Sequence, residues 1–168
     1  GWLTLHAGIA GGADIILIPE IPYNIDYVID AINKRKKAGK RFTILAVAEG
    51  AVSEEDAKLS KKAFKEKRKD WQYPSVSYEI AHKIQEQTGD EIRITVPGHM
   101  QRGGEPCPYD RVLSTRLGAE AAEMIMDGDF GNMACVRNNE IVRVPLKEVA
   151  GKLKMIQPDS SIVKEAKL

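Results

Sequence analysis

The chain has 168 residues, 43% of them hydrophobic and 29% charged, with a formal net charge of +1 at pH 7. That size and composition suit one soluble α/β domain, or a large piece of a bigger protein, with enough apolar residues for a sizeable core. The near-zero charge excludes a global attraction to nucleic acid or membrane, so any anion must be held by a local cluster.

The chain opens with "GWLTLHAGIAGGADIILIPE". Leu3, Leu5, Ala7, Ile9 and Ala10 predict a short helix that stops at Gly11-Gly12, and a hydrophobic strand follows from Ile15 to Ile18. A unit that begins on its helix is expected to lack the strand before it. Asn24 is the expected N-cap of a second helix. Ile25, Val28, Ile29 and Ile32 recur there at helical spacing, Lys34 to Lys37 complement the C-terminal dipole, and Gly39 ends the helix. "RFTILAVAEG" is a continuous apolar run with β-branched members, as expected of a strand covered on both faces.

"SEEDAKLSKKAFKEKRKD" is charged and poor in apolar anchors, which predicts an exposed helix or insertion. "YPSVSYEIAHKIQEQTG" predicts a helix closed by Gly89, and "EIRITVPG" a third strand. After the loop "VPGHMQRGGEP", Val112, Leu113, Leu117, Ala121, Met124 and Ile125 predict a long helix with one apolar stripe. "NMACVRNNEIVRVPL" predicts a hairpin turning at Asn138-Asn139, and two short amphipathic segments finish the chain. Helices and strands alternate, so the expected fold class is α/β: a three-layer, mostly parallel sheet with helices on both faces.

In such sheets ligands bind beyond the carboxyl ends of the strands, where Glu20, Glu49 and the 96–106 loop are expected to fall. Glu49 suits an acceptor for a polyol ligand, a solvated loop acid, or a cap for the helix near Ser53. Arg93, within the third predicted strand, needs solvent or an anionic partner. Arg102 can grip phosphate oxygens bidentately, His99 can donate to a phosphate or hydroxyl, and Gly98, Gly103 and Gly104 let backbone N–H groups approach an anion. A tight connection with a structural histidine and a surface arginine is the competing reading, since no P-loop or dinucleotide fingerprint is matched.

The lysine run carries acids and no interleaved stacking aromatics, so it reads as a solvated face and no nucleic-acid partner is expected. His6 and His82 have no second ligand at i+3 or i+4, so no metal site is expected in this chain. Cys107 and Cys135 read as reduced thiols of a cytosolic protein. No apolar run approaches the roughly 18 residues of a spanning helix, and no membrane association is expected.

"GWLTLHAGIAGGADIILIPE", "ILAVAEGA" and above all "RITVPGHMQRGGEPCPYDRVLSTRLGAEA" resemble the C-terminal half of the 6-phosphofructokinase family, from Gly1 to about residue 144. The opening "GW" and the longer, lysine-rich segment from Glu54 to Tyr73 resemble the pyrophosphate-dependent and related branch. The resemblance implies a cytoplasmic glycolytic enzyme that transfers a phosphoryl group from ATP or pyrophosphate, with Mg2+, to the 1-hydroxyl of fructose 6-phosphate. Residues 1–168 would be its substrate-binding, C-terminal part.

By the same resemblance Glu49 accepts hydrogen bonds from the sugar hydroxyls, and His99 and Arg102 hold the 6-phosphate. Arg93 reaches the neighbouring subunit's substrate site, so a homo-oligomer, dimer or tetramer, is implied. Asp14 and Lys40 match an effector site whose second basic position is here Ala38, which argues against nucleotide regulation. The family's donor loop, catalytic aspartate and main magnesium contacts belong to an N-terminal half that this chain lacks, so no catalytic residue is expected in it and the chain alone should be inactive. The alternative is a non-catalytic sugar-phosphate-binding or regulatory subunit of the same fold.

Overall fold

Two strands and the helices on either side of them organise the first part of the chain in a computed structural model that describes residues 1–167. Helix α1 (Trp2–Ala10) leads into strand β1 (Ile15–Leu17), helix α2 (Ile25–Lys37) and strand β2 (Leu45–Val47). The strands pair in parallel, with Ile15 opposite Leu45 and Leu17 opposite Val47. Two short helices follow, α3 (Glu54–Ala57) and α4 (Lys61–Lys67), then the longer α5 (Val76–Thr88). Local chemistry sets the boundaries. The Asn24 side chain accepts the Asp26 N–H at 2.9 Å, Ser53 and Ser60 cap α3 and α4 in the same way, and Gly89 ends α5 in the left-handed region.

Side chains alternate across β1, and each set enters a different core. Leu17, with Ile15 beside it, joins Tyr23, Val28, Ile29 and Ile32 of the α2 side and Val76, Ile80 and Ile84 of α5. Ile18, with Ile16 beside it, joins Leu5 of α1, Ile156 and Val163, the last on helix α8 (Ser161–Glu165). Helices therefore cover both faces, as the sequence predicts. Helix α1 lies so close that a Cβ on Gly8 would stand 2.7 Å from the Ile16 side chain and 3.3 Å from the Ala46 Cβ.

The contacts divide the chain into two units, one of residues 1–95 with 155–168 and one of residues 96–154. In the second, helix α6 (Pro108–Met126) precedes strands β3 (Asn132–Arg137) and β4 (Glu140–Pro145) and the short helix α7 (Leu146–Val149). The antiparallel hairpin turns at Asn138 and Asn139, with φ of 52° and 65°, the left-handed pair that a tight hairpin turn requires. Arg143 on β4 ties the hairpin to the end of α6, bonding Glu120 at 2.5 Å, Asp127 at 2.9 Å and Asp129 at 3.3 Å. Those hydrogen bonds, first to Glu120 and then to Asp127, hold the guanidinium's pKa above its ordinary value.

Two expectations change. Residues 91–96 lie outside any helix or strand, with Ile92 and Ile94 half-buried between exposed Glu91, Arg93 and Thr95, and no strand pairing forms. The period-2 burial is that of a strand, whereas the backbone N–H and C=O groups of residues 91–96 meet no backbone partner among the described residues. The apolar residues of α6 also do not form one stripe. Leu113, Leu117 and Met124 are covered, but Val112 and Ile125 lie 60% and 67% exposed. Positions 113, 117 and 124 share a face at 100° per residue, and 112 and 125 project to either side of it.

Ile80, 2% exposed, sits in the larger core. Ile80→Ala should cost about 2–5 kcal/mol in urea unfolding of this chain. Burial, reinforced by the carboxylates of Glu79 and Asp56, pushes the Tyr23 phenol from 10.0 up to about 12. Its stabilising contribution is full below pH 10 and is lost as pH rises to about 12. Unfolding midpoints measured across that window should fall more for the native chain than for Tyr23→Phe. Parallel curves would show that Tyr23 does not carry the effect.

Candidate functional site

The loop that joins the 91–96 segment to α6 has a defined shape. Residues 98–102 form one 3₁₀ turn, entered through Gly98 at φ 56° and left through Gly103 and then Gly104 at φ 87°. The Met100 N–H bonds the Pro97 carbonyl at 3.2 Å, and the Gly103 N–H bonds the Met100 carbonyl at 3.0 Å. Side chains three apart in a 3₁₀ turn eclipse one another, so the spacing of His99 and Arg102 sets imidazole and guanidinium on one side. Both are exposed, and neither side chain has a hydrogen bond or ion pair among the described residues. The loop ends where the Cys107 N–H bonds Asp110 Oδ2 at 3.1 Å and Pro108 starts α6. That cap fixes the exit direction of the chain.

In the first unit, Glu49 lies exposed in the turn directly after β2, without a protein partner among the described residues. Gly50 brings that turn against Pro19, since a Cβ there would stand 3.2 Å from the Pro19 ring. The two strand ends thus lie side by side, and Glu49 is the carboxylate left open there. Glu20, expected at the same end, is turned inward and only 5% exposed. One of its oxygens accepts the Ile156 N–H at 3.3 Å, and the other is buried without a donor. Glu20 is a structural carboxylate, and the helix N-cap near Ser53 is the serine itself, not Glu49.

Arg93 stands on the 91–96 segment with its side chain 87% exposed, bonded through Nε and Nη2 to Glu91 Oε1 at 3.0 Å. A pair this exposed contributes little to stability, so the guanidinium can exchange Glu91 for another anion at small cost. Asp14 is engaged at both oxygens, by Arg35 Nη2 at 2.8 Å and by the Ile44 N–H at 2.8 Å. The Lys40 side chain has no partner among the described residues. Lys40 and Arg93 line one cavity of about 550 Å³, together with Lys36, Arg41 and the acids Asp90 and Glu91. The fold therefore gathers His99 with Arg102 and Lys40 with Arg93, and binds Asp14 into a structural bridge. Nothing in the sequence periodicity marked that cavity, because it opens where the third predicted strand fails to pair.

The lysine-rich stretch also holds a detail that its composition conceals. Arg68 lies over the rings of both Phe64, at 4.7 Å, and Trp71, at 4.2 Å, and Trp71 Nε1 donates to Glu79 at 3.1 Å. Aromatics that the sequence reading discounted thus stack on an arginine of their own segment. No helix among the described residues is long and apolar enough to cross a membrane.

Lys36 Nζ bonds Asp90 at 2.7 Å, joining α2 to the root of the 91–96 segment. That hydrogen bond lowers the Asp90 pKa below its usual value. Its contribution is present above the ordinary carboxylate range and is lost as pH falls through the lowered value. Asp90→Asn should therefore destabilise the chain by less than about 1 kcal/mol at pH 7. Titration toward acid should close the gap between the two proteins, and a gap that persists would assign the effect elsewhere.

Comparison with known proteins places these residues in a wider frame. Residues 1–125 match the family described as Phosphofructokinase. An ATP-dependent 6-phosphofructokinase of Spirochaeta thermophila is 52% identical over 99% of this chain, which covers 46% of that protein. A pyrophosphate–fructose 6-phosphate 1-phosphotransferase of Amycolatopsis methanolica is 44% identical over 95% of the chain, again covering 46% of the relative. The solved phosphofructokinase of Saccharomyces cerevisiae superposes with a TM-score of 0.70 at 38% identity, over 88% of this chain and 18% of that one. The chain spans about half the length of the curated relatives it matches, on their C-terminal side.

Proposed function

Because this chain belongs to the phosphofructokinase family, we propose that it supplies the sugar-phosphate side of a phosphoryl transfer from ATP or pyrophosphate to the 1-hydroxyl of fructose 6-phosphate. The observation that carries the reading is the 98–102 turn, with His99 and Arg102 on one side, exposed and unpartnered between glycines of positive φ. A phosphate monoester suits that arrangement: the planar guanidinium takes two oxygens, the imidazole a third, and charge-assisted bonds of this kind contribute about 1.5–3 kcal/mol each.

In this reading the turn holds the 6-phosphate, the ester that does not react, and Glu49 accepts hydrogen bonds from the sugar hydroxyls. Fixing the acceptor in this way lowers the entropic part of the barrier, and phosphoryl transfer depends mainly on such positioning and on charge stabilisation. The exposure of Arg93 supports a role toward a neighbouring subunit in a homo-oligomer. Lys40, free beside the cavity, is the one effector-site residue open to an anion, since a ligand at Asp14 would have to displace Arg35.

Family members use Mg2+ to neutralise charge on the phosphates being transferred. The described residues hold no group of three or more His, Cys, Asp or Glu side chains placed for a metal ion. They do not fit the ion. Proton removal from the sugar hydroxyl and donor binding fall to the part of the polypeptide that this chain does not span.

The test uses the full-length protein, assayed with ATP and with pyrophosphate side by side. Arg102→Ala should raise KM for fructose 6-phosphate by 10-fold or more, with the donor KM changed less than threefold. Glu49→Gln should weaken sugar binding and leave competition by inorganic phosphate unaltered. An unchanged sugar KM in Arg102→Ala would overturn the assignment.

A further inference from the structure

Strands β1 and β2 end in the same way. The Ile18 and Ala48 carbonyls just beyond them each accept the N–H three residues on, Ile21 at 3.3 Å and Ala51 at 3.0 Å. The tips of the two turns are Pro19-Glu20 and Glu49-Gly50. They touch at Pro19 and Gly50, where a Cβ on the glycine would stand 3.2 Å from the Pro19 Cγ. Each tip carries one glutamate, but Glu49 lies in solvent and Glu20 lies inside, its side chain 5% exposed.

A buried carboxylate with few donors weakens a fold relative to an apolar residue of similar size. Glu20 accepts one hydrogen bond, from the Ile156 N–H at 3.3 Å to Oε1. Its Oε2 is buried without a donor. The carboxylate rests against the start of α1, where a Cβ on Gly1 would overlap it and where the helix dipole favours negative charge. Ile156 is itself 1% exposed, so the segment returning from the end of the chain is a firm support. Stability alone does not call for a charged side chain at this point. What Glu20 does is join three elements: the start of α1, the returning segment and the turn after β1.

The tip of the turn after β2 has no such anchor. Ala48 and Ala51 at its base are buried, but the Glu49 side chain has no partner among the described residues. The tip rests on Pro19, whose ring fixes φ, so its place is set by its neighbours Ile18 and Glu20. Ile18 is held in the smaller core, and Glu20 by Ile156.

We propose that Glu20 is a positioning residue for Glu49: its buried carboxylate, fastened to Ile156 and set against the start of α1, holds Pro19 as the rest for the Glu49-Gly50 tip. The returning segment, 136 residues beyond Glu20 in the chain, thereby supports the sugar side of the site. This role rests on the reading of Glu49 as the acceptor for the sugar hydroxyls, and amide exchange tests it apart from turnover.

In the full-length protein, Glu20→Asp draws the carboxylate back by one methylene, out of reach of the Ile156 N–H. KM for fructose 6-phosphate should rise about fivefold, the size of effect that one lost hydrogen bond carries. The donor KM should change less than about twofold and competition by inorganic phosphate should stay unaltered, since in this reading His99 and Arg102 hold the phosphate. Glu20→Gln keeps the length and an acceptor oxygen, and should bring the sugar KM back to within about twofold of the parent. Added to Glu49→Gln, Glu20→Asp should raise the sugar KM less than about twofold further, because both act through one side chain. Gly50→Ala presses on Pro19 from the other side at an exposed position. It should raise the sugar KM in the same pattern, and it decides the question if Glu20→Asp folds poorly. Without substrate, amide exchange in the peptide over residues 48–52 should quicken about 10-fold in Glu20→Asp.

Where Glu49→Gln weakens sugar binding, an unchanged sugar KM in folded Glu20→Asp, or in Gly50→Ala if Glu20→Asp does not fold, would overturn the proposal. So would a Glu20→Asp effect that multiplies in full with that of Glu49→Gln. Quickened exchange with an intact sugar KM in Glu49→Gln would retain the link from Glu20 to the turn and reject Glu49 as the sugar's acceptor; parent-like exchange with a raised KM in Glu49→Gln would do the reverse.

Discussion

The first unit depends on burying a two-stranded sheet from both sides. Two parallel strands of three residues each have little stability of their own, and they persist because β1 sends Leu17 into one core and Ile16 against another. Each set of residues needs its own cover, so α2 and α5 must lie on one face and α1 and α8 on the other. Gly8 permits the tighter of the two approaches, with α1 resting on Ile16 and Ala46. Residue 156 and α8, far along the chain, return to close that same core. Remove the cover on either face and the strand ends lose the alignment that places Gly50 against Pro19.

The candidate site follows from a different constraint, the conversion of sequence spacing into direction. Three residues separate His99 from Arg102, and the 3₁₀ turn makes them share a side. Gly98 and Gly104 supply the positive φ values that let the chain enter and leave that turn, and the Cys107–Asp110 cap aims it into α6. The exposed cations of the other unit are set otherwise. Lys40 and Arg93 meet because the 91–96 segment lies beside the end of α2 without pairing to β2, leaving a cavity between them.

Charge in this molecule divides by whether a partner is fixed nearby. Asp14, Glu20 and Arg143 are held by bonds across long stretches of chain, and their role is to fasten elements together. The side chains of Glu49, Lys40, His99 and Arg102 have no protein partner among the described residues. A balanced net charge of +1 hides this contrast, since it counts the fastened and the free groups alike.

Much of the local structure was legible from residues alone. Asn24, Gly89 and the Asn138-Asn139 pair set their boundaries through their own backbone and side-chain preferences, so α2, α5 and the hairpin lie where periodicity places them. The "GHMQRGG" stretch likewise offered a histidine and an arginine three apart between glycines, a pattern that suits an anion site or a tight connection alike. Burial was not legible. The sequence shows that Glu20 and Glu49 both follow strands, but only the return of Ile156 decides that Glu20 turns inward and Glu49 does not. Periodicity predicts a strand in "EIRITVPG" and shows that α6 is rich in apolar residues. Whether a backbone edge finds a partner, or an apolar face finds a cover, depends on residues distant in the chain. Only the tertiary structure decided those outcomes, since an isolated segment carries its preferences but not its neighbours.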